Sequence, residues 1–220
     1  MRMFRRMGLC CKTLFQWIGV LWQLLYGVWR VSKLPRPIVS IFGGARISGD
    51  DVYFRKAHEL GQRLVELDIS VLTGGGPGIM EAASCGAIVP KEGKTRMMGI
   101  GVTDLGESAN KCVQEYFELN YFFARKWLLT RFSSAFVVFP GGFGTLDELS
   151  EVITLIQTKK LKRVPIVLFG VEYWDHFMQW LKMEALKHGT ISQEDLDLFT
   201  MTDDLEQVLC LIRDECKVTP

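Results

Sequence analysis

The chain is poor in several things, and each scarcity excludes something. Net charge is only +1 over 220 residues, so no strong overall field recruits nucleic acid, and no nucleic-acid partner is expected. The six cysteines (Cys10, Cys11, Cys85, Cys112, Cys210, Cys216) form no C-x-x-C pair and keep no regular spacing. In a chain long enough to bury an ordinary core, that argues against a disulfide framework and for reduced, buried thiols. The three histidines, His58, His176 and His188, share no metal-ligand spacing, so no metal is expected. No lysine closes a glycine loop as a P-loop requires, and no G-x-G-x-x-G precedes a suitably placed acid; ATPase and dinucleotide-oxidoreductase readings are therefore weak. Repeats and low-complexity segments are absent too. The longest uncharged run, residues 13–29, is 17 residues long and holds Gln16, Gly19, Gln23 and Gly27. A membrane-spanning helix needs about 20 apolar residues. A small-residue cleavage site, which a secretory signal would carry, is missing after it. A cytoplasmic protein is expected.

Residues 1–36 also lack any acid, while carrying Arg2, Arg5, Arg6, Lys12, Arg30, Lys33 and Arg36. Taking that +7 from the overall +1 leaves −6 on the rest. The chain thus divides into a basic, apolar arm (1–37) and an acidic body (38–220). Within the arm Leu14, Trp17, Ile18, Leu21, Leu24, Leu25, Val28 and Trp29 recur at steps of three and four, with Gln16, Gln23, Gly27 and Arg30 opposite. That is an amphipathic helix. Docking on the body, docking on a partner subunit, and peripheral membrane contact through residues 13–30 all stay open. The prolines of "KLPRP", residues 33–37, end it.

What is plentiful beyond residue 38 is alternation. Short β-branched runs at 38–42, 69–73, 97–102, 135–139 and 165–169 read as buried strands. Helical periodicity fills 51–67, 78–87, 125–132, the stretch up to 157, 173–187 and 203–216, and 115–122 reads as extended. The expectation is an α/β fold: a Rossmann-like, doubly wound, mostly parallel sheet with helices on both faces, plus the N-terminal amphipathic helix. Such sheets bind ligands at the carboxyl ends of their strands. Three glycine turns fall there: Gly43-Gly44, Gly74-Gly75-Gly76 and Gly141-Gly142. In "LTGGGPGIMEAA" and "PGGFGTLDE" glycines sit between a strand and a helix start, where unpaired N–H groups and the helix dipole receive phosphate. Loops this short suit a monophosphate. Glu148 and Glu151 share a helix face just beyond the second loop. A carboxylate beside a bound sugar can stabilise oxocarbenium character or handle a proton.

Pro140, Gly141, Gly142, Gly144, Thr145 and Glu148 spell P-G-G-x-G-T-x-x-E, with Arg125-Lys126 upstream, "GGGPGIMEAA" at 74–83 and "FGGAR" at 42–46. Together these resemble the LONELY GUY (LOG) family over roughly residues 38–190. The resemblance implies a phosphoribohydrolase: a hydrolase that cleaves the N-glycosidic bond of AMP or an N6-modified AMP (a cytokinin nucleotide), giving base and ribose 5-phosphate. It further implies a homodimer or larger assembly, and neither metal nor cofactor. Arg125 and Glu148 would be the catalytic pair. Gly44, Gly74, Gly75, Gly76, Gly78, Met80, Lys126, Gly141, Gly142, Gly144 and Thr145 would bind substrate, chiefly its phosphate. A non-catalytic nucleotide or cofactor carrier on the same fold is the competing reading. The family's older label, lysine decarboxylase, would call for a pyridoxal-binding lysine that the chain does not offer in a recognisable setting. The arm and the insert at 89–99 lie outside the shared pattern.

Overall fold

The computed structural model describes residues 2–88, 96–103, 106 and 108–216, with side chains from residue 16 onward. In chain order the elements are α1 (Arg2–Val31), β1 (Ile38–Phe42), α2 (Val52–Glu66), β2 (Ser70–Thr73), α3 (Ile79–Gly86), β3 (Met97–Val102), β4 (Glu115–Leu119), α4 (Phe122–Arg131), β5 (Ala135–Val138), α5 (Phe143–Gln157), β6 (Ile166–Phe169), α6 (Val171–Trp180) running into π-helical turns at Leu181–Leu186, α7 (Gln193–Leu196), β7 (Phe199–Thr202) and α8 (Leu205–Cys216). The seven strands form one sheet in the order β4-β3-β2-β1-β5-β6-β7, and every neighbouring pair is parallel.

Strands β1, β2, β3, β5 and β6 are buried at every residue, which is why they read as continuous apolar runs rather than as alternation. Successive side chains serve opposite faces. Val39, Ile41, Val71, Val137 and Val167 pack against α2, α3 and α8 through Leu60, Leu64, Ala83, Val208 and Ile212. Ile38, Phe42, Leu72, Phe136, Val138 and Leu168 pack against α4, α5 and α6 through Leu128, Leu129, Val152 and Trp174. Chain order reverses direction between β1 and β5, so the topological switch point lies between them, with a glycine turn at the end of each.

Four findings differ from the sequence expectations. Helix α4 begins at Phe122, a turn early, because the Tyr121 carbonyl already accepts from the N–H groups of Ala124 (3.1 Å) and Arg125 (3.3 Å). Strand β7 and the short α7 went unread: β7 is four mixed residues on a sheet edge, only its last buried. Cys85 and Cys112 are disulfide-bonded, 27 residues apart, which corrects the expectation of reduced thiols throughout; Cys210 and Cys216 are free. Fold proximity, not spacing, pairs the two. The side chains of Cys10 and Cys11, and residues 89–95 of the insert, lie outside the described residues.

The fourth concerns α1. Its docked side carries Val20, Gly27 and Val31, with Leu24 and Val28 partly buried. The Gln23 side-chain oxygen accepts from Asn120 N–H (2.9 Å), and Arg30 pairs with Glu115 (2.7 Å). Thus Gln23, Gly27 and Arg30 of the side read as polar face the protein, Gln16 of that side stays exposed, and Trp17, Ile18, Leu21, Trp22, Leu25 and Trp29 stay exposed as well. Gly27 allows the close approach: a Cβ there would collide with Leu128. No described helix is long and apolar enough to cross a membrane.

Candidate functional site

The three glycine turns meet at the carboxyl ends of β1, β2 and β5. Gly44 joins them through its backbone: its N–H donates to the Pro140 carbonyl (2.9 Å) and its own carbonyl accepts from Ile79 N–H (3.1 Å). Gly78, with φ +70°, turns so tightly into α3 that a Cβ would strike the Gly44 carbonyl oxygen. Neither α3 nor α5 has a side-chain cap; their N-caps are Gly78 and Gly142. Gly142 and Gly144 would meet no atom within 4 Å if given a Cβ. No side chain caps the first turn of α5 and its glycines leave room for a ligand to approach the backbone, the arrangement that receives an anion. Thr145 is buried against Gly141, and the Tyr173 hydroxyl donates to the Gly141 carbonyl (2.6 Å).

Arg125 bridges two of these loops. Helix α4 supplies it, and its guanidinium lies so close over Gly74 that any side chain there would displace it, with the Met80 sulfur 2.7 Å from the same point. Arg125 Nη2 donates to Glu148 Oε1 at 3.2 Å, both side chains being at most 15% exposed. Arg125 Nε is the only buried side-chain polar atom among the described residues without a hydrogen-bond partner. A buried, unmet donor costs roughly 1–3 kcal/mol, and an acceptor on a bound ligand would satisfy it. Burial pushes the Glu148 carboxyl up to about 7, against the pull of the Arg125 and Lys126 charges. A carboxylate balanced near neutrality can take or give a proton.

Lys126 is turned to a different task. Its ammonium pairs with Asp147 (2.7 Å) and Glu151 (3.1 Å) on α5. Burial would lower its pKa, yet those two hydrogen-bonded carboxylates outweigh it and hold the lysine above its ordinary value. A lysine so strongly protonated is a poor Schiff-base nucleophile, since that role needs a depressed pKa.

Three residues of the site carried no readable signal. Asn110, buried, donates its amide to the carbonyls of Gly75 and Gly76 (3.0 Å each), and its backbone N–H also reaches Gly75 (2.9 Å). Tyr116 packs against Gly75, whose φ is +75°. Tyr173 reaches Gly141 from α6. All three come from segments distant in sequence, and only the fold brings them to the loops.

A doubly wound parallel sheet, three glycine turns at its switch point and a buried Arg–Glu pair beside uncapped helix starts define a Rossmann-like α/β protein with an anion-receptive crevice. Residues 80–212 match the family described as "possible lysine decarboxylase", and the chain belongs to that family, the LOG family of the sequence resemblance. Among its relatives is the cytokinin riboside 5'-monophosphate phosphoribohydrolase LOG of Oryza sativa subsp. japonica, 32% identical over 71% of this chain and 64% of that protein. A cytokinin riboside 5'-monophosphate phosphoribohydrolase of Arabidopsis thaliana is 32% identical over 73% of this chain and 74% of its own. Among solved structures, a molybdenum cofactor binding protein from Rippkaea orientalis shares the fold (TM-score 0.58, 20% identity, 82% of this chain, 97% of that one). The molybdenum cofactor carrier protein of Chlamydomonas reinhardtii does so as well (TM-score 0.55, 20% identity, 82% and 98%).

Proposed function

We propose that this protein hydrolyses the N-glycosidic bond of a nucleoside 5'-monophosphate, AMP or an N6-modified AMP, to free base and ribose 5-phosphate. The observation that carries the reading is the buried Arg125–Glu148 pair, 3.2 Å apart, set beside glycine loops that join two uncapped helix starts. The 5'-phosphate lies against the N–H groups of Gly76, Gly142, Gly144 and Thr145; the Gly75 N–H is held by the Thr73 hydroxyl (3.0 Å), which shapes the loop. The ribose then reaches Glu148, on the second turn of α5. As the bond from C1' to the base nitrogen breaks, its electron pair leaves with the base and positive charge grows on the sugar. Ionised Glu148 stabilises that charge and takes a proton from the attacking water, whose oxygen bonds C1'. The proton goes on to the departing base. Arg125 holds the carboxylate in place, and its unmet Nε–H donates to a sugar or phosphate oxygen. Named activities of relatives sharing about 30% identity support the same chemistry.

A second reading keeps the site and drops the chemistry: a carrier for a nucleotide or a phosphate-bearing cofactor. Fold does not choose between the two, for the neighbours named after molybdenum cofactor share it. The test is a product assay with AMP, GMP, CMP and N6-isopentenyl-AMP, following free base and ribose 5-phosphate, with Glu148→Gln alongside. Hydrolysis is expected from the adenine nucleotides and is expected to fall by at least about a hundredfold in the variant, while AMP still binds. Silence on every nucleotide with binding intact would favour the carrier.

A further inference from the structure

We propose that the outward face of α1 is a docking surface for an anionic lipid bilayer, on which the helix lies flat. The rotation of α1 about its axis is not free. Gln23, Gly27 and Arg30 lock one side to Asn120, Leu128 and Glu115, and Tyr26 adds an edge-on contact to Phe117. The locked orientation turns Trp17 (63% exposed), Leu21, Trp22 (72%), Leu25 and Trp29 away from the protein. From Trp17 to Trp29 this face runs about 18 Å at 1.5 Å per residue. Scattered apolar residues on a surface are ordinary, whereas a continuous stripe rimmed by polar groups marks an interaction site. Three of the chain's six tryptophans stand on it, and tryptophan favours the level of lipid headgroups, where its ring is half wet.

Charge selects the occupant. The first 36 residues carry seven basic residues and no acid; Arg30 is tied to Glu115 on the docked side, which leaves six for an anionic partner. Two such arms pressed together would repel, while an anionic leaflet attracts each base near its surface by a factor of about fivefold in partitioning. Lys33 and Arg36 are exposed just past the end of the helix, and Lys33 sits over the Trp29 ring at 3.3 Å, close to the apolar face. No described helix is long and apolar enough to span a bilayer, so the mode is in-plane: apolar side chains at the headgroup boundary, basic groups among the headgroups.

Full-length protein sedimented with phosphatidylcholine vesicles, and with the same vesicles containing phosphatidylglycerol, tests this. Binding to the phosphatidylglycerol vesicles is expected, with tryptophan emission shifted to the blue. Raising salt to shorten the screening length should weaken it severalfold. Trp22→Glu/Leu25→Glu alters exposed side chains only and should leave thermal unfolding unchanged while reducing vesicle binding by about tenfold or more. No binding to either vesicle overturns the proposal, as does equal binding to both. A further overturning result is a fall in mass of the lipid-free protein on the double substitution, measured by sedimentation velocity, which would assign the face to a second copy of the chain.

Discussion

At the scale of single residues, Glu148 and Asn110 make the sharpest claims. With its pKa raised to about 7 and its ionised form doing the work, Glu148 should give turnover a limb that rises with pH through that region. A pH profile of kcat/KM checks this. Stability runs the other way. The folded protein holds the Glu148 proton more tightly than the unfolded chain does, so this contribution is fully present below pH 4.5, the ordinary carboxyl value, and is lost as pH rises through about 7. The loss is at most about 3 kcal/mol. Denaturant unfolding of wild type and Glu148→Gln at pH 5 and pH 8 should therefore show the variant gaining relative stability at the higher pH. For Asn110→Ala, the Gly75 and Gly76 carbonyls lose their side-chain donor inside the fold, a cost of about 1–3 kcal/mol. KM should rise more than kcat falls, because the loop and not the reacting centre is disturbed. Glu148 was legible because it lies in the contiguous signature that follows a glycine loop; Arg125, upstream of that signature, was a candidate only through the family resemblance. Asn110 was not legible. It stands in an irregular stretch, and its partners are 34 and 35 residues away.

At the scale of elements, the strand-to-helix loops decide the outcome, and two glycines separate function from folding. Gly74→Ala would place its methyl against the end of the Arg125 side chain and the Met80 sulfur, both of which can move. Folding should survive and turnover should drop with it, read by the product assay beside circular dichroism. Gly78→Ala would combine a positive φ with a collision against the Gly44 backbone, which cannot move without opening the crevice; a loss of about 2 kcal/mol or more in denaturant unfolding is expected. The disulfide from Cys85 on α3 to Cys112 encloses a loop with a separation of 27 residues and fastens the segment that carries Asn110. Cys112→Ser should lower stability by about 3 kcal/mol under oxidising conditions and by nothing under strong reductant. The boundaries of most strands and helices could be read from apolar runs ended by glycine or proline. Strand β7 could not, since an edge strand half open to water carries no continuous apolar run.

At the scale of the whole molecule, the arm turns out to be two things. Val31 and Leu34 are buried with the β1 side of the second core, whereas Trp17 to Gly19 touch water. Removal of residues 1–34 should lower the unfolding midpoint, because burying a side chain such as Val31 or Leu34 is worth about 2 kcal/mol, while Trp17→Ser should leave it where it is; differential scanning calorimetry of the two variants checks the pair. By itself the sequence determined the α/β class, the parallel sheet, the glycine loops and Glu148 as a candidate, because those rest on periodicity and on short contiguous motifs; Arg125 as its partner came with the family resemblance. Only the tertiary structure decided that the loops converge at the switch point, that Arg125 Nε goes unmatched, that Cys85 finds Cys112, and which side of α1 faces the protein. Each of these depends on partners far apart along the chain. A helix with apolar groups on most of its circumference can be oriented only by what it packs against.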